Sequence, residues 1–264
     1  MALSGDSKVL AALAADGIAK QKLHVMLIVD TSRSMQGERI GQVNSAIADI
    51  HKYLVDLQGE NSNVDFYLSL MTFSNQAEFV PGYKGVNVSE MVPPKLKAGG
   101  YSNLHLAYEA LAPVLHKESN GGMMPDFGGI SPILLLLTDG HPTKSCEEQL
   151  AQLKRLPWFR ASLRYGIAIE LHDKRTMRVL TDFTEDEDCV VECIDATTLA
   201  KIIQIIVLTA SKVKSQSSAV RAGNMARATA RAISRAASVS NQTAHSLVKQ
   251  QIKVTLDEAD DWEW

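Results

Sequence analysis

Two apolar segments that each run into an aspartate limit what this chain can fold into. Residues 23–29 (LHVMLIV) end at Asp30, and residues 133–138 (ILLLLT) end at Asp139-Gly140. Short apolar runs without alternation are typical of strands that are covered on both faces. We therefore predict two central strands of a buried sheet, each followed directly by a carboxylate.

Helix-type spacing of apolar residues separates the predicted strands, which indicates helical crossovers between parallel strands. This order predicts an α/β fold, a Rossmann-like, doubly wound and mostly parallel sheet with helices on both faces. The predicted strands are 23–29, 64–73, 77–80, 133–138, 162–169 and 189–194. The predicted helices are 38–57, 102–116 with Ser102 as its N-cap, 146–156, 174–183 and 197–211.

Charge is divided unevenly along the chain, although the net charge of the 264 residues is only -3. Residues 196–256 hold nine Lys and Arg and no acid, whereas the last eight residues hold five acids and two tryptophans. This division predicts separate functional segments. We assign an N-terminal extension (1–19), a globular domain (20–212), a basic Ala/Ser-rich, partly helical arm (213–256) and an acidic tip (257–264).

Composition favours an ordinary globular protein of the cytoplasm. Hydrophobic residues make up 45% of the chain and charged residues 22%, which is enough apolar material for a core. No apolar run has membrane-spanning length, and the N-terminus lacks the pattern of a secretory signal. Cys146, Cys189 and Cys193 cannot all pair and show no C-x-x-C spacing, so we expect reduced thiols, with the last two packed in the core.

Oxygen-bearing side chains follow both predicted central strands. Asp30, Ser32 and Ser34 come after the first strand, Asp139 comes after the second, and a Gly-Gly loop at 99–100 leads to Ser102. In a doubly wound sheet these strand ends open onto one crevice. Carboxylates and hydroxyls without histidine or thiol suit Mg²⁺, or Mn²⁺ or Ca²⁺, better than zinc. The alternative is that Asp30 only caps the turn that follows it.

Three short motifs resemble the von Willebrand factor type A family. They are D-x-S-x-S at 30–34, the G-G-x-S loop at 99–102 and T-D-G at 138–140. Within the family, residues 138–143 and 37–40 look most like TerY-type proteins of bacterial tellurium-resistance clusters. The resemblance implies a Rossmann-like sheet with a short antiparallel edge strand, which suits 77–80. It also implies a Ser/Thr kinase and a 2C-type protein phosphatase as partners.

The resemblance further implies a metal-ion-dependent adhesion site in which the metal binds a partner and performs no catalysis. Ser32 and Ser34 would bind the ion directly, Ser102 would replace the usual threonine, and Asp30 and Asp139 would act through water. One coordination position would stay open for the carboxylate of a protein partner. Two departures are the Tyr101-Ser102 pair at the threonine position and Arg33 between the two serines. The charge of Arg33 would either disfavour the metal or clamp the incoming carboxylate.

The arm and tip carry separate signals. Ser234 and Ser238 each lie in an R-x-x-S pattern that basophilic kinases prefer, and the alternative is a solvated polar helix. Trp262 and Trp264 lie among the acids of the tip, either as a docking peptide for a basic groove or folded back on the arm.

Two other functions compete with a non-enzymatic interaction module. The basic arm would suit a nucleic-acid-associated scaffold, but residues 196–256 contain no aromatic side chain for base stacking. A phosphatase of the haloacid-dehalogenase type needs a second aspartate two residues after the nucleophile, and that position is Ser32.

Overall fold

The computed structural model describes residues 20–60, 64–127, 129–170 and 173–193, together with 200, 201, 203 and 204. The N-terminal extension, the basic arm, the acidic tip and most of the predicted helix 197–211 lie outside these residues. Their predicted sites, Ser234, Ser238, Trp262 and Trp264, therefore stay predictions.

Seven strands form one sheet within the described part of the chain. The strands are β1 (Gln21–Asp30), β2 (Val64–Phe73), β3 (Ala77–Phe79), β4 (Val86–Asn87), β5 (Ile133–Thr138), β6 (Leu163–Ile169) and β7 (Val190–Cys193). The spatial order is β3-β2-β1-β5-β6-β7, with β4 also paired to β2. β1, β2, β5, β6 and β7 pair in parallel, and β3 and β4 run antiparallel to β2.

Helices connect the parallel strands and cover both faces of the sheet. The helices are α1 (Glu38–Glu60), α2 (Leu104–Val114), α3 (Glu147–Leu153), α4 (Pro157–Ala161) and α5 (Lys174–Thr184). Along β1, Val25 and Leu27 enter the core beside α1, whereas Met26 and Ile28 enter the core beside α2, α3 and α5. This alternation buries both faces of the central strands, as their apolar sequence predicts. None of these helices combines the length and apolar character needed to cross a bilayer.

The predicted α/β fold, mostly parallel with an antiparallel strand, is confirmed, and two local predictions are wrong. Ser102 is not an N-cap, because α2 begins at Leu104 with Asn103 in the cap position, and neither serine nor asparagine caps it by a side-chain bond. The predicted helix 146–156 ends at Leu153, and Pro157 then starts α4, since proline fits the first helical position.

Cys189 and Cys193 are buried in the core beside α1 and are not joined in a disulfide, which confirms their predicted role in packing. Cys146 is also a buried free thiol, at the start of α3. Burial raises the pKa of the Cys146 thiol to about 11, so it stays protonated near neutral pH.

His24 is a buried histidine near the start of β1. Neither ring nitrogen has a hydrogen-bond partner among the described residues, and the ring lies 5.5 Å from that of Tyr67. Burial, with a smaller contribution from Lys22, lowers the pKa of His24 from 6.5 to about 4. The folded state therefore keeps this imidazole neutral at pH values where the unfolded chain protonates it.

Replacing His24 by leucine should make the fold less sensitive to acid. In the wild type, the neutral His24 ring lowers the free energy of unfolding at acidic pH, because the unfolded chain binds a proton that the folded chain does not. This loss is absent above pH 6.5 and grows as the pH falls toward 4. We expect the loss at pH 4.5 to reach about 2 kcal/mol, and His24→Leu should abolish it. Urea unfolding at pH 7 and pH 4.5 measures the difference. The surface control His116→Leu should retain the acid sensitivity of the wild type, and equal behaviour of both variants would contradict the account.

Candidate metal centre

The candidate site lies where the winding of the sheet reverses. β1 is hydrogen-bonded to β2 on one side and to β5 on the other, with Val29 opposite Leu137. The chain leaves β1 toward β2 and leaves β5 toward β6, so the connections diverge and open a crevice at the carboxyl ends. Asp30 and Asp139 therefore stand on neighbouring strand ends, as the sequence predicts.

Backbone hydrogen bonds from two neighbouring segments hold the turn after β1. The N–H of Thr31 donates to the carbonyl of Phe73 at 2.9 Å, and the N–H of Arg33 donates to the carbonyl of Gly100 at 3.0 Å. A short 3₁₀ turn, Arg33–Met35, follows, and its Met35 side chain is buried in the core. This anchoring turns the hydroxyls of the D-x-S-x-S segment toward the crevice.

Asp30 is wholly buried and is surrounded by donors. Its Oδ1 accepts the N–H of Ser32 at 2.8 Å, and its Oδ2 accepts the hydroxyls of Ser102 at 2.9 Å and Thr138 at 2.8 Å. Burial raises the pKa of Asp30, and these three hydrogen bonds oppose the rise because they favour the carboxylate. The arrangement is that of a buried carboxylate held by its neighbours in one orientation.

The serine hydroxyls are arranged with their protons directed at acceptors. Ser34 Oγ donates to Asp139 Oδ1 at 2.8 Å, so its single proton is used there. Ser32 Oγ lies 3.1 Å from Ser34 Oγ, at hydrogen-bond distance. Ser102 likewise gives its proton to Asp30. The lone pairs left on these oxygens are what a hard cation binds.

All five predicted site residues meet in this hydrogen-bonded network. Two are carboxylates and three are serines, and within the described residues no group of three or more His, Cys, Asp and Glu forms a metal cluster. The donor set is therefore oxygen-only and carries at most two negative charges, which fits Mg²⁺, Mn²⁺ or Ca²⁺. The residues are Asp30, Ser32, Ser34, Ser102 and Asp139.

The two departures noted in the sequence lie at the rim of the site. Ser102 directs its hydroxyl inward to Asp30, whereas Tyr101 is 69% exposed. The serine, and not the tyrosine, therefore contributes its hydroxyl to the network. Arg33 is exposed and forms no ion pair with any described residue. Nδ1 of His141, two residues after Asp139, lies 3.5 Å from Oδ2 of Asp173.

Arg39 is the site residue that the sequence reasoning missed. Its Nη1 lies 2.8 Å from Asp139 Oδ2 and donates to the carbonyl of Ser34 at 3.0 Å, while its Nε lies 2.8 Å from Glu170 Oε2. The hydrogen bond to Glu170, followed by the charge of Asp139, raises the pKa of Arg39. An arginine in the first turn of a helix is common and gives no signal in the sequence. Only its ion pair with Glu170, 131 positions away, identifies Arg39 as part of the site.

Comparison with known proteins assigns most of this chain to one domain family. A family model for the von Willebrand factor type A domain matches residues 24–205. Inter-alpha-trypsin inhibitor heavy chain H1 of Sus scrofa is 24% identical over 149 residues, 54% of this chain and 15% of that protein. This chain therefore corresponds to a minor part of that relative.

Solved structures share the fold at low identity. The pilus adhesin SpaC from Lactobacillus rhamnosus GG, in an open conformation, has a TM-score of 0.54 at 13% identity, over 79% of this chain and 30% of that one. A von Willebrand factor type A structure from Catenulispora acidiphila has a TM-score of 0.50 at 14% identity, over 72% of this chain and 43% of that one. These likenesses concern the fold alone.

Proposed function

The chain belongs to the von Willebrand factor type A domain family, and we propose that it acts as a non-enzymatic, metal-dependent protein-interaction module. Members of the family commonly carry a metal-ion-dependent adhesion site and mediate protein interactions. The observation that carries the proposal is the hydroxyl–carboxylate network between β1 and β5. It offers hydroxyl lone pairs to a cation, and its five members include no histidine and no thiol.

In this proposal Ser32, Ser34 and Ser102 bind Mg²⁺ through their oxygens, while Asp30 and Asp139 accept the hydroxyl protons and hold bound water. A cation bound there supplies an attraction for the carboxylate of a partner, because so few protein charges neutralise it. The protein residues bind and orient the ion, and a buried Asp30 keeps the ligand oxygens in place. Mn²⁺ and Ca²⁺ are the alternatives to Mg²⁺.

The resemblance to TerY-type proteins supports a finer proposal. We place the module in the cytoplasm of a bacterium as a scaffold for a Ser/Thr kinase and a 2C-type protein phosphatase, in a tellurite-type stress response. Phosphorylation of Ser234 or Ser238 would invert the charge of the arm, and Trp262 and Trp264 would dock on a basic groove. Phosphopeptide mapping after treatment with the kinase would locate the modified serine.

The two competing functions have less support. The basic arm on which nucleic-acid binding rests lies outside the described residues, and it offers no aromatic residue for stacking. The phosphatase alternative requires an acid two residues after Asp30, but that residue is Ser32, whose hydroxyl bonds to Ser34. Neither alternative accounts for three serine hydroxyls gathered around two carboxylates.

A capture experiment with defined partners tests the proposed function. The full-length chain is immobilised, and the kinase and phosphatase encoded nearest to its gene are passed over it with Mg²⁺, with chelator, and with Mg²⁺ restored. We expect binding that is lost in chelator and recovered with the metal, without turnover of either partner. Binding that persists in chelator would contradict a metal-dependent interface. Metal-dependent release of phosphate from a phosphorylated substrate by this chain alone would favour the phosphatase alternative.

A further inference from the structure

We propose that the Arg39 guanidinium is a built-in cation that competes with the divalent metal for Asp139. The inference rests on the proposed metal site and deepens it, because it names a residue that sets the affinity of that site. It predicts that metal binding requires Arg39 to leave Asp139. The metal-free site would then be closed by an internal ion pair.

The geometry around Asp139 carries the argument. One oxygen of this carboxylate accepts the Ser34 hydroxyl, and the other accepts Arg39 Nη1 at 2.8 Å. The Asp139 side chain is only 1% exposed, and each of its oxygens accepts a donor of the protein itself. In the proposed site Asp139 would accept a hydrogen bond from water on the ion, and Arg39 Nη1 already donates to its Oδ2.

Glu170 holds the guanidinium in this position. Its Oε2 accepts Arg39 Nε at 2.8 Å, which gives the guanidinium two carboxylate partners on neighbouring strand ends. The Glu170 backbone lies in the left-handed region at φ 50°, and its N–H donates to the carbonyl of Cys193 at 3.0 Å. The backbone at the end of β6 is thus tied to β7 and presents Glu170 to the crevice.

The electrostatic consequence is a lowered affinity for divalent ions. A guanidinium and a divalent ion that lie on opposite sides of the same carboxylate repel each other. Even in the dielectric of water, the repulsion between a single and a double positive charge about 6 Å apart lowers a binding constant about tenfold. A partly buried pair is screened less than this. The Arg39 side chain is 24% exposed, so it has solvent on one side into which it can swing.

The test compares Arg39→Gln with Arg33→Gln in the full-length protein. Both changes remove one positive charge near the crevice, but only Arg39 contacts Asp139. Isothermal titration with Mg²⁺, and Mn²⁺ titration followed by electron paramagnetic resonance, give the dissociation constants. We expect Arg39→Gln to bind each metal at least about tenfold more tightly than the wild type, and Arg33→Gln to differ by less than about threefold.

The outcomes separate this inference from the proposed function. Absence of binding by both the wild type and Arg39→Gln would overturn the metal site and the inference together. Binding by the wild type with unchanged or weaker binding by Arg39→Gln would overturn the inference alone, since Arg39 would then only position Asp139. An equal gain in both variants would also overturn it, because the effect would be that of net charge. A gain specific to Arg39→Gln, with an intermediate value for Arg39→Lys, supports the inference.

Discussion

Replacement of Asp30 by alanine is expected to abolish metal binding and to lower the free energy of unfolding by about 2–3 kcal/mol. The substitution leaves the buried N–H of Ser32 and the hydroxyls of Ser102 and Thr138 without their acceptor. The loss is moderate because Thr138 also bonds to the carbonyl of Gly140 at 3.0 Å and keeps an acceptor there. Urea unfolding in chelator measures the stability, and Mg²⁺ titration measures the binding.

Asp30→Asn is the matched control for this prediction. It keeps the volume of the side chain and one acceptor oxygen, so we expect a smaller loss of stability than for alanine. Metal binding should still fail, because the amide nitrogen would face a donor and disturb the hydroxyls. Normal Mg²⁺ affinity in Asp30→Asn would show that Asp30 has only a structural role in the turn.

Ser34→Ala should weaken metal binding by at least about 100-fold with little effect on the fold. Ser34 is exposed, so removing its oxygen leaves no cavity in the core, but it takes away a proposed direct ligand. It also removes the proton donor to Asp139 Oδ1. The same titration gives the affinity, and circular dichroism with thermal unfolding verifies the fold.

Ser145→Ala is the control for Ser34→Ala. Ser145 is an exposed serine near the start of α3 and lies outside the hydroxyl–carboxylate network. We expect the affinity for Mg²⁺ and the partner binding of this variant to equal those of the wild type. If Ser34→Ala also binds both as the wild type does, the D-x-S-x-S hydroxyls do not form the docking surface.

The central strands and the meeting of the five polar residues could be predicted from the sequence. β2 and β5 begin and end where their sequence patterns do. Apolar and partly exposed positions alternate at the start of β2, and β5 is buried along its whole length. Asp30 and Asp139 meet because parallel neighbours of a doubly wound sheet end at one edge. The position of Ser102 followed from the resemblance of the glycine loop, and the inward direction of its hydroxyl required the structure.

Other features depend on contacts that no local pattern encodes. β4 has two residues, too few for any periodicity, and forms only because β2 offers it a partner. Asn103, and not Ser102, precedes α2, because Ser102 is committed to Asp30. The ion pairs of Arg39 join residues 100 and 131 positions apart, so they become visible only when β5 and β6 are in place.

A crystal of the full-length protein grown with Mn²⁺ tests the central claim most directly, since the anomalous signal of manganese locates the ion independently of the protein. We predict a single peak between β1 and β5, within about 2.3 Å of the hydroxyl oxygens of Ser32, Ser34 and Ser102. The Arg39 guanidinium should have moved off Asp139. Absence of a peak at saturating Mn²⁺, with the serine hydroxyls still bonded as described, would contradict the account.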